Sequence, residues 1–370
     1  MTAQNKSAGD TAWIAETAQA IGFDLCGVAR ASEFPELQKM NDWLARGYAG
    51  EMQYLHDERR TDLQKAMNGV RSVIVCAINY NSPGPYSTEV ADSASGDSPR
   101  GWISRYAWGD DYHEVLWTKL NALVAKMRER FGESFKARAS ADTGPIQERI
   151  LAKYAGLGWI GKNTLLLNQQ KGSWLFLGTI LTDLELTPTI ASQESQPLDL
   201  CGSCTRCIDA CPTDALVEPY VMDARRCIAY LTIELRGQIP AEFREPIGNH
   251  VFGCDICQDV CPWNRKSPRT EQLEFQPRTS TDSKESLFRP RLEWLAGLSE
   301  EEYRELFRGS AMKRAKWRGI IRNTMIAMGN SEIKRHSSEW ENVRAILEKF
   351  AQSEDKVISD SAQWALSRIK

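Results

Sequence analysis

Eight of the ten cysteines lie between residues 201 and 261, in two runs whose spacing suits iron–sulfur chemistry. The first run is Cys201-Gly-Ser-Cys204-Thr-Arg-Cys207-Ile-Asp-Ala-Cys211-Pro212, a C-x2-C-x2-C-x3-C-P pattern. The second is Cys254-Asp-Ile-Cys257-Gln-Asp-Val-Cys261-Pro262, and Cys227 supplies the cysteine missing at its start. Thiolates are soft, electron-rich ligands, and this spacing carries two 4Fe–4S clusters, the fourth cysteine of each run reaching across to the other cluster. The pattern assigns Cys201, Cys204, Cys207 and Cys261 to one cluster, and Cys227, Cys254, Cys257 and Cys211 to the other. Proline after each closing cysteine ends its loop, because proline lacks an N–H and fixes its own φ. The alternatives are disulfides or structural zinc; zinc sites usually pair two C-x2-C knuckles, which eight ligands with two Cys-Pro endings fit poorly. Such clusters pass electrons one at a time, so redox chemistry is expected.

The elements that must position these thiols have room to do so. A chain of 370 residues holds two or three domains, and 42% hydrophobic with 26% charged residues describes an ordinary globular protein. Residues Met1 to Asp10 are polar, without an apolar core region or twin arginine, so no export is expected. No apolar run approaches the roughly 20 residues that span a bilayer. Concentrated free thiols suit a reducing cytoplasm, and that location is the expectation. Cys26 and Cys76 sit in apolar strands and read as small core fillers. Between Ser310 and His336 there are seven basic residues against one acid, either a phosphate-attracting face or a solvated helix surface.

Residues 1–195 read as a mixed α/β domain. Helix Thr11–Ile21 is followed by strands Phe23–Val28 and Arg71–Asn79, then by a helix over His113–Phe131 with Leu116, Leu120, Leu123 and Met127 on one stripe. A strand over Lys136–Ala141 runs into the turn Asp142-Thr-Gly-Pro145, a helix to Tyr154, and strands at Leu165–Leu167 and Trp174–Thr182. Ser82–Arg100 is a surface loop and Thr187–Leu198 a polar linker. The cluster domain occupies 196–270. In the tail, 271–370, Arg318–Met328, Trp340–Phe350 and Ser361–Ile369 read as amphipathic helices like the end of a HEAT-type solenoid. The fold class is therefore α+β with an all-α tail.

Gly156-Leu-Gly158-Trp-Ile-Gly161 matches G-x-G-x-x-G, but a helix precedes it and a strand follows, the reverse of a nucleotide loop. These glycines are expected to form a tight turn beside a bulky ligand. Histidines are too few and scattered to suggest a metal site; His56, His250 and His336 read as structural, and His113 stands at a helix start. No G-x-S-x-G serine supports a nucleophilic triad.

With the cluster spacing, Arg105-Tyr-Ala-Trp-Gly-Asp-Asp-Tyr-His113, Asp142-Thr-Gly-Pro145, Ala155-Gly-Leu-Gly-Trp-Ile-Gly-Lys-Asn-Thr164 and Cys227-Ile-Ala-Tyr-Leu-Thr232 resemble the epoxyqueuosine reductase family, as does Gly248-Asn249 leading to Gly253-Cys254-Asp255. The resemblance covers roughly residues 10–265, with a looser match at Arg322-Asn-Thr-Met-Ile-Ala-Met-Gly-Asn330. It implies a cytoplasmic, monomeric enzyme that uses cobalamin and two 4Fe–4S clusters to remove the epoxide oxygen from epoxyqueuosine at the tRNA wobble position, yielding queuosine. An external electron donor is implied. So is a layout of cobalamin-binding N-terminal domain, ferredoxin-like cluster domain and tRNA-gripping helical tail. Asp142 is implied as the proton donor, its pKa raised by burial; the alternative is a turn-forming aspartate. Arg60, Ser104, Arg105, Asp142, Leu166, Leu177 and Asp255 are implied corrin contacts, against surface ion pairs for the arginines and core packing for the leucines. Arg314, Lys316, Arg318 and Arg322 are implied tRNA phosphate contacts, with Trp317 stacking or packing. The rival readings are a corrinoid reductive dehalogenase and a non-catalytic ferredoxin-like carrier.

Overall fold

A computed structural model of the chain describes residues 3–90, 98–190, 198–280 and 285–369. Helix α1 (Ala3–Ile21), strand β1 (Leu25–Arg30), helices α2 (Pro35–Ala45) and α3 (Leu63–Ala66) and strand β2 (Ser72–Asn79) open the fold. Then come β3 (Trp102–Ile103), α4 (Tyr112–Phe131), β4 (Ala137–Ser140), α5 (Glu148–Tyr154), β5 (Trp159–Ile160), β6 (Leu166–Leu167) and β7 (Leu175–Thr182). The cluster region holds α6 (Arg206–Asp209), α7 (Ala241–Arg244), β8 (His250–Phe252) and α8 (Ile256–Asp259). The tail is α9 (Leu292–Gly297), α10 (Glu300–Leu306), α11 (Lys316–Asn330), α12 (Ser338–Ala351) and α13 (Lys356–Arg368). Among the described residues no helix is long and apolar enough to cross a membrane.

The sheet order is β1-β2-β7-β4, antiparallel throughout, with Ser72 opposite Thr182 and Ser140 opposite Thr179. Alternation sends Ile74, Cys76 and Ile78 to one face, where α1 and α4 contribute Ile14, Ala18, Leu116 and Leu120. Val73, Val75 and Ala77 point the other way, to Leu37, Leu151 and Ala152. A central strand covered on both sides reads as a continuous apolar run, as Ser72–Asn79 does. Cys26 faces Cys76 across the ladder with the sulfurs 3.7 Å apart, both unoxidised, in the filler role expected of them.

Helix α1 begins well before Thr11. Its polar first half is held by tertiary bonds, Thr11 Oγ1 donating to the Thr187 carbonyl at 2.8 Å. The Gly156–Gly161 segment is tight, and its Trp159 and Ile160 line a cavity. A Cβ on Gly158 would stand 1.9 Å from the Leu167 carbonyl oxygen, so the close neighbour is the other strand of the β5–β6 hairpin. Parts of the expected surface loop and linker, 91–97 and 191–197, lie outside the described residues.

The tail does not hang free. One core joins Trp102, Trp108, Val251 and Phe252 to Leu292, Ile320 and Met325, and the parallel pair β3–β8 runs through it. Asn323 on α11 donates from Nδ2 to the carbonyls of Thr232 and Val251, both at 2.8 Å.

Candidate active site and cluster-binding region

A cavity of about 2100 Å³ opens among these elements, lined in part by Tyr54, Arg60, His113, Asp142, Cys227 and Arg314. Drug-sized ligands occupy roughly 300–1,000 Å³, so this space suits a larger group together with a substrate. On its wall stand groups from the segment after α2, the start of α4, the turn after β4 and the chain leading into α11.

Asp142 follows β4 with φ of +57°, a conformation rare for a residue with a side chain and concentrated where structure serves a site. Its Oδ2 lies 3.3 Å from His113 Nε2, and the imidazole Nδ1 lies 2.6 Å from Asp111 Oδ1. Asp111 is the N-cap of α4, which fixes the start of the helix and hence the histidine. Lys313 Nζ holds the other oxygen of Asp111 at 2.6 Å. Tyr112 stacks on the imidazole at 4.0 Å and on Phe176 at 4.4 Å. The Asp142 backbone N–H donates to Glu148 Oε1 at 2.7 Å.

Protonation follows from these contacts. Burial raises the Asp142 carboxyl, but hydrogen bonds from His113 and Tyr112 outweigh it, and the group lies below its ordinary value. Its side chain is 63% exposed, toward the cavity. Burial lowers His113, yet Asp111 and Asp142 on its two nitrogens lift it to about 9. Glu148 is pushed up to about 8 by burial and by the Asp142 carboxylate. The protein's own groups thus lower Asp142, against the rise expected from burial beside a corrin, and set the His113 imidazole one hydrogen bond away.

The eight thiols of the two runs lie close to one another. Cys261 interacts electrostatically with Cys201 and Cys204, and Cys207 with Cys261 and Cys201. Cys254 does so with Cys227 and Cys257, and Cys257 with Cys227 and Cys211. Backbone N–H groups aim at the sulfurs, those of Ala229 and Tyr230 at Cys227 and those of Trp263 and Asn264 at Cys261. Such donors favour the anionic state that a cluster requires. All ten cysteines are free, which removes the disulfide alternative. Among the described residues no three His, Cys, Asp or Glu side chains converge on a single-ion site. Cys207 and Cys257 lie within electrostatic reach of each other across the two sets, and Cys227 lines the cavity.

Of the implied corrin contacts, Arg60 and Asp142 line the cavity, and Ser104, Arg105, Leu166, Leu177 and Asp255 do not. Ser104 Oγ donates to Asp255 Oδ1 at 2.5 Å and the Arg105 N–H to Oδ2 at 2.7 Å, closing a buried network. The Arg105 guanidinium donates to the Ser82 and Pro85 carbonyls and lies 4.4 Å over Trp108. Leu166 and Leu177 pack in the core against α5. Arg60 donates to the Tyr54 carbonyl at 3.2 Å and sits over its ring.

The basic residues divide likewise. Lys316 and Arg314 stand on the cavity lining, with Arg314 bidentate on Glu234 at 2.8 and 2.7 Å. Arg318 is exposed and paired with Asp355. Arg322 is a correction: it is 1% exposed, and its nitrogens donate to the carbonyls of Leu231, Leu235 and Gly237. Burial lowers it to about 10. No phosphate reaches it. Trp317 packs, its indole N–H donating to the Leu298 carbonyl at 2.7 Å. Sequence reasoning passed over His113, Glu148 and Tyr54 as site residues; the one local signal was a capping aspartate two residues before His113.

Two sets of cluster thiols beside a deep cavity with an acid–base pair define an iron–sulfur oxidoreductase. Residues 200–264 match the 4Fe-4S double cluster binding domain, and residues 60–143 match the family described as Epoxyqueuosine reductase QueG, DUF1730. The epoxyqueuosine reductase of Gloeobacter violaceus is 43% identical over 86% of this chain and 96% of its own length. That of Xanthomonas campestris pv. campestris is 36% identical over 95% of this chain and 94% of its own length. The chain belongs to the epoxyqueuosine reductase family. Among solved structures, an epoxyqueuosine reductase with an epoxyqueuosine-modified tRNA-Tyr stem loop superposes with a TM-score of 0.85 at 29% identity, covering 98% of this chain and 90% of that one. The Bacillus subtilis epoxyqueuosine reductase, solved with its aspartate-bearing catalytic loop swung out of the active site, gives 0.79 at 26% identity over 98% of this chain and 99% of that one.

Proposed function

We propose that this enzyme reduces the epoxide of epoxyqueuosine at the tRNA wobble position to queuosine. The observation that carries the reading is a single cavity bringing together Asp142 with its His113 partner, the cluster thiol Cys227 and the cationic Lys316. The relative solved with an epoxyqueuosine-modified stem loop supports the substrate, and the aspartate-bearing loop of the Bacillus subtilis protein supports Asp142.

The residues fit the implied cofactors. Two sets of thiols with backbone donors suit two 4Fe–4S clusters, and the cavity's size suits cobalamin with a nucleoside beside it. When bound, the clusters carry single electrons from an external donor and cobalamin supplies a metal centre capable of two-electron chemistry. Arg60 offers a cation to its phosphate or amide groups. The Ser104–Asp255–Arg105 network, Leu166 and Leu177 brace the fold around the site.

The chain's own part is binding and proton supply. An alkoxide is a poor leaving group, so the departing epoxide oxygen takes a proton from Asp142. Lys316, with Arg314 and Arg318 beside it, holds phosphates of an anticodon loop whose modified base is drawn into the cavity. In this division of labour residues 1–195 hold the cofactor, 196–270 deliver electrons and 271–370 grip the tRNA, in a cytoplasmic monomer.

The test is nucleoside analysis of tRNA from cells lacking the gene, complemented with the wild-type gene. Epoxyqueuosine accumulates without the gene and queuosine returns with it; normal queuosine in the deletion overturns the assignment.

A further inference from the structure

Removing an epoxide oxygen as water breaks two C–O bonds, takes up two electrons from the external donor and consumes two protons. Asp142 carries one proton at a time. A carboxyl that serves both proton transfers must be recharged within the turnover, by a group in hydrogen-bond reach. Among the described residues two side chains are given there, the Tyr112 hydroxyl and His113 Nε2, the latter 3.3 Å from Asp142 Oδ2. Burial and the Asp142 carboxylate push the Tyr112 phenol up and keep it protonated, which leaves the imidazole as the group that can release and regain a proton.

We infer that His113 is the positioning residue that orients Asp142 and passes it protons, so that Asp111, His113 and Asp142 work as one relay into the cavity. This deepens the proton-donor reading of Asp142 and rests on it. In the relay the imidazolium Nε2–H gives its proton to the Asp142 carboxylate, and Asp142 gives it to the oxygen as the first C–O bond breaks. The imidazole regains a proton from cavity water and repeats the transfer, and the oxygen leaves as water while the two electrons close the carbon–carbon double bond.

The geometry is built for that direction. Asp111 Oδ1 occupies Nδ1 at 2.6 Å, which fixes the tautomer and turns Nε2 toward Asp142. Asp111 is itself immobilised: it is 1% exposed, caps α4 and takes Lys313 Nζ on its other oxygen at 2.6 Å. Tyr112, stacked on the ring and packed on Phe176, stops the imidazole from rotating. The titratable and charged groups around the relay are Asp111 and Tyr112 on the helix start, Tyr106 before it, Asp142, Glu148 and Arg149 across the cavity wall, Lys313 and Arg314 from the tail, and Tyr54 and Arg60 farther off. The two carboxylates hold His113 charged until about pH 9.

The test uses anaerobically reconstituted holoenzyme and an epoxyqueuosine stem-loop RNA. The His113→Gln variant is expected to lose about 10²-fold in kcat, the lower end of general acid–base effects, with KM for the RNA unchanged. The wild-type alkaline limb near pH 9 disappears in this variant, and free imidazole restores part of the rate. Independently, histidine-selective NMR of the cofactor-free protein should show His113 titrating near 9, falling toward about 6.5 when Asp111→Asn and Asp142→Asn are combined. Wild-type kcat and pH profile in His113→Gln overturns the relay, as does a loss that imidazole does not rescue and that raises KM. Full activity in Asp142→Asn overturns the proton-donor reading beneath it, and that result is distinct from activity retained only in His113→Gln.

Discussion

The cluster-binding region and the wall of the cavity are assembled by different rules. Around the thiols, positions are set by short loops closed on themselves. The Cys204 N–H donates to the Cys201 carbonyl at 3.0 Å, Cys211 to Ile208 at 3.2 Å and Cys261 to Gln258 at 3.1 Å. Each run carries one short helix, α6 around Cys207 and α8 around Cys257. The acid–base pair has no such local frame. His113 and Asp142 are 29 residues apart and meet because α4 packs on the sheet whose edge strand β4 ends two residues before Asp142. Asp111, which seats the imidazole, is held in turn by Lys313 from the tail. Ligation here is a property of loops, and proton chemistry a property of the whole fold.

That contrast breaks or holds under substitution. The largest effect is expected at Cys254→Ser, which removes one cluster: iron falls from about eight to about four per chain and turnover is abolished. Retained activity would separate the thiols from the chemistry. Next, Asp142→Asn should keep full iron and an unchanged visible spectrum while kcat falls by about 10²–10⁴. Loss of iron in that variant would mean the two regions are not independent. Smaller effects divide the arginines from the lysine in the tail. Arg322→Ala strips donors from three buried carbonyls that tie α11 to the cluster region. It should cost about 3 kcal/mol in urea unfolding. Lys316→Ala should leave stability within about 0.5 kcal/mol and weaken RNA binding, with the salt dependence of log K shallower by about 1. The reverse pattern, a stable Arg322→Ala with lost RNA affinity, would restore Arg322 as a surface contact.

The eight cluster ligands were legible because spacing along the chain is their geometry. The strands were legible because Ser72–Asn79 is apolar on both faces and the stripe Leu116–Leu120–Leu123–Met127 has one helical period. Arg322 was misread as a surface cation because it shares a basic stretch with Arg314, Lys316 and Arg318. Charge along a sequence does not say which side of a helix faces the core. Arg105 shows the same limit, its guanidinium spent on carbonyls and a tryptophan ring rather than on a ligand.

Order along the chain alone determined the double-cluster motif matched over residues 200–264, the main strands and helices of a mixed α/β domain, and the helical tail. Those features depend on near neighbours, and near neighbours are written in sequence. Only the tertiary structure decided that Asp142 meets His113, that the tail shares a core with the cluster region, and which cations reach the cavity. The physical reason is that burial and long-range hydrogen bonds set protonation and exposure, and both are created when distant segments pack.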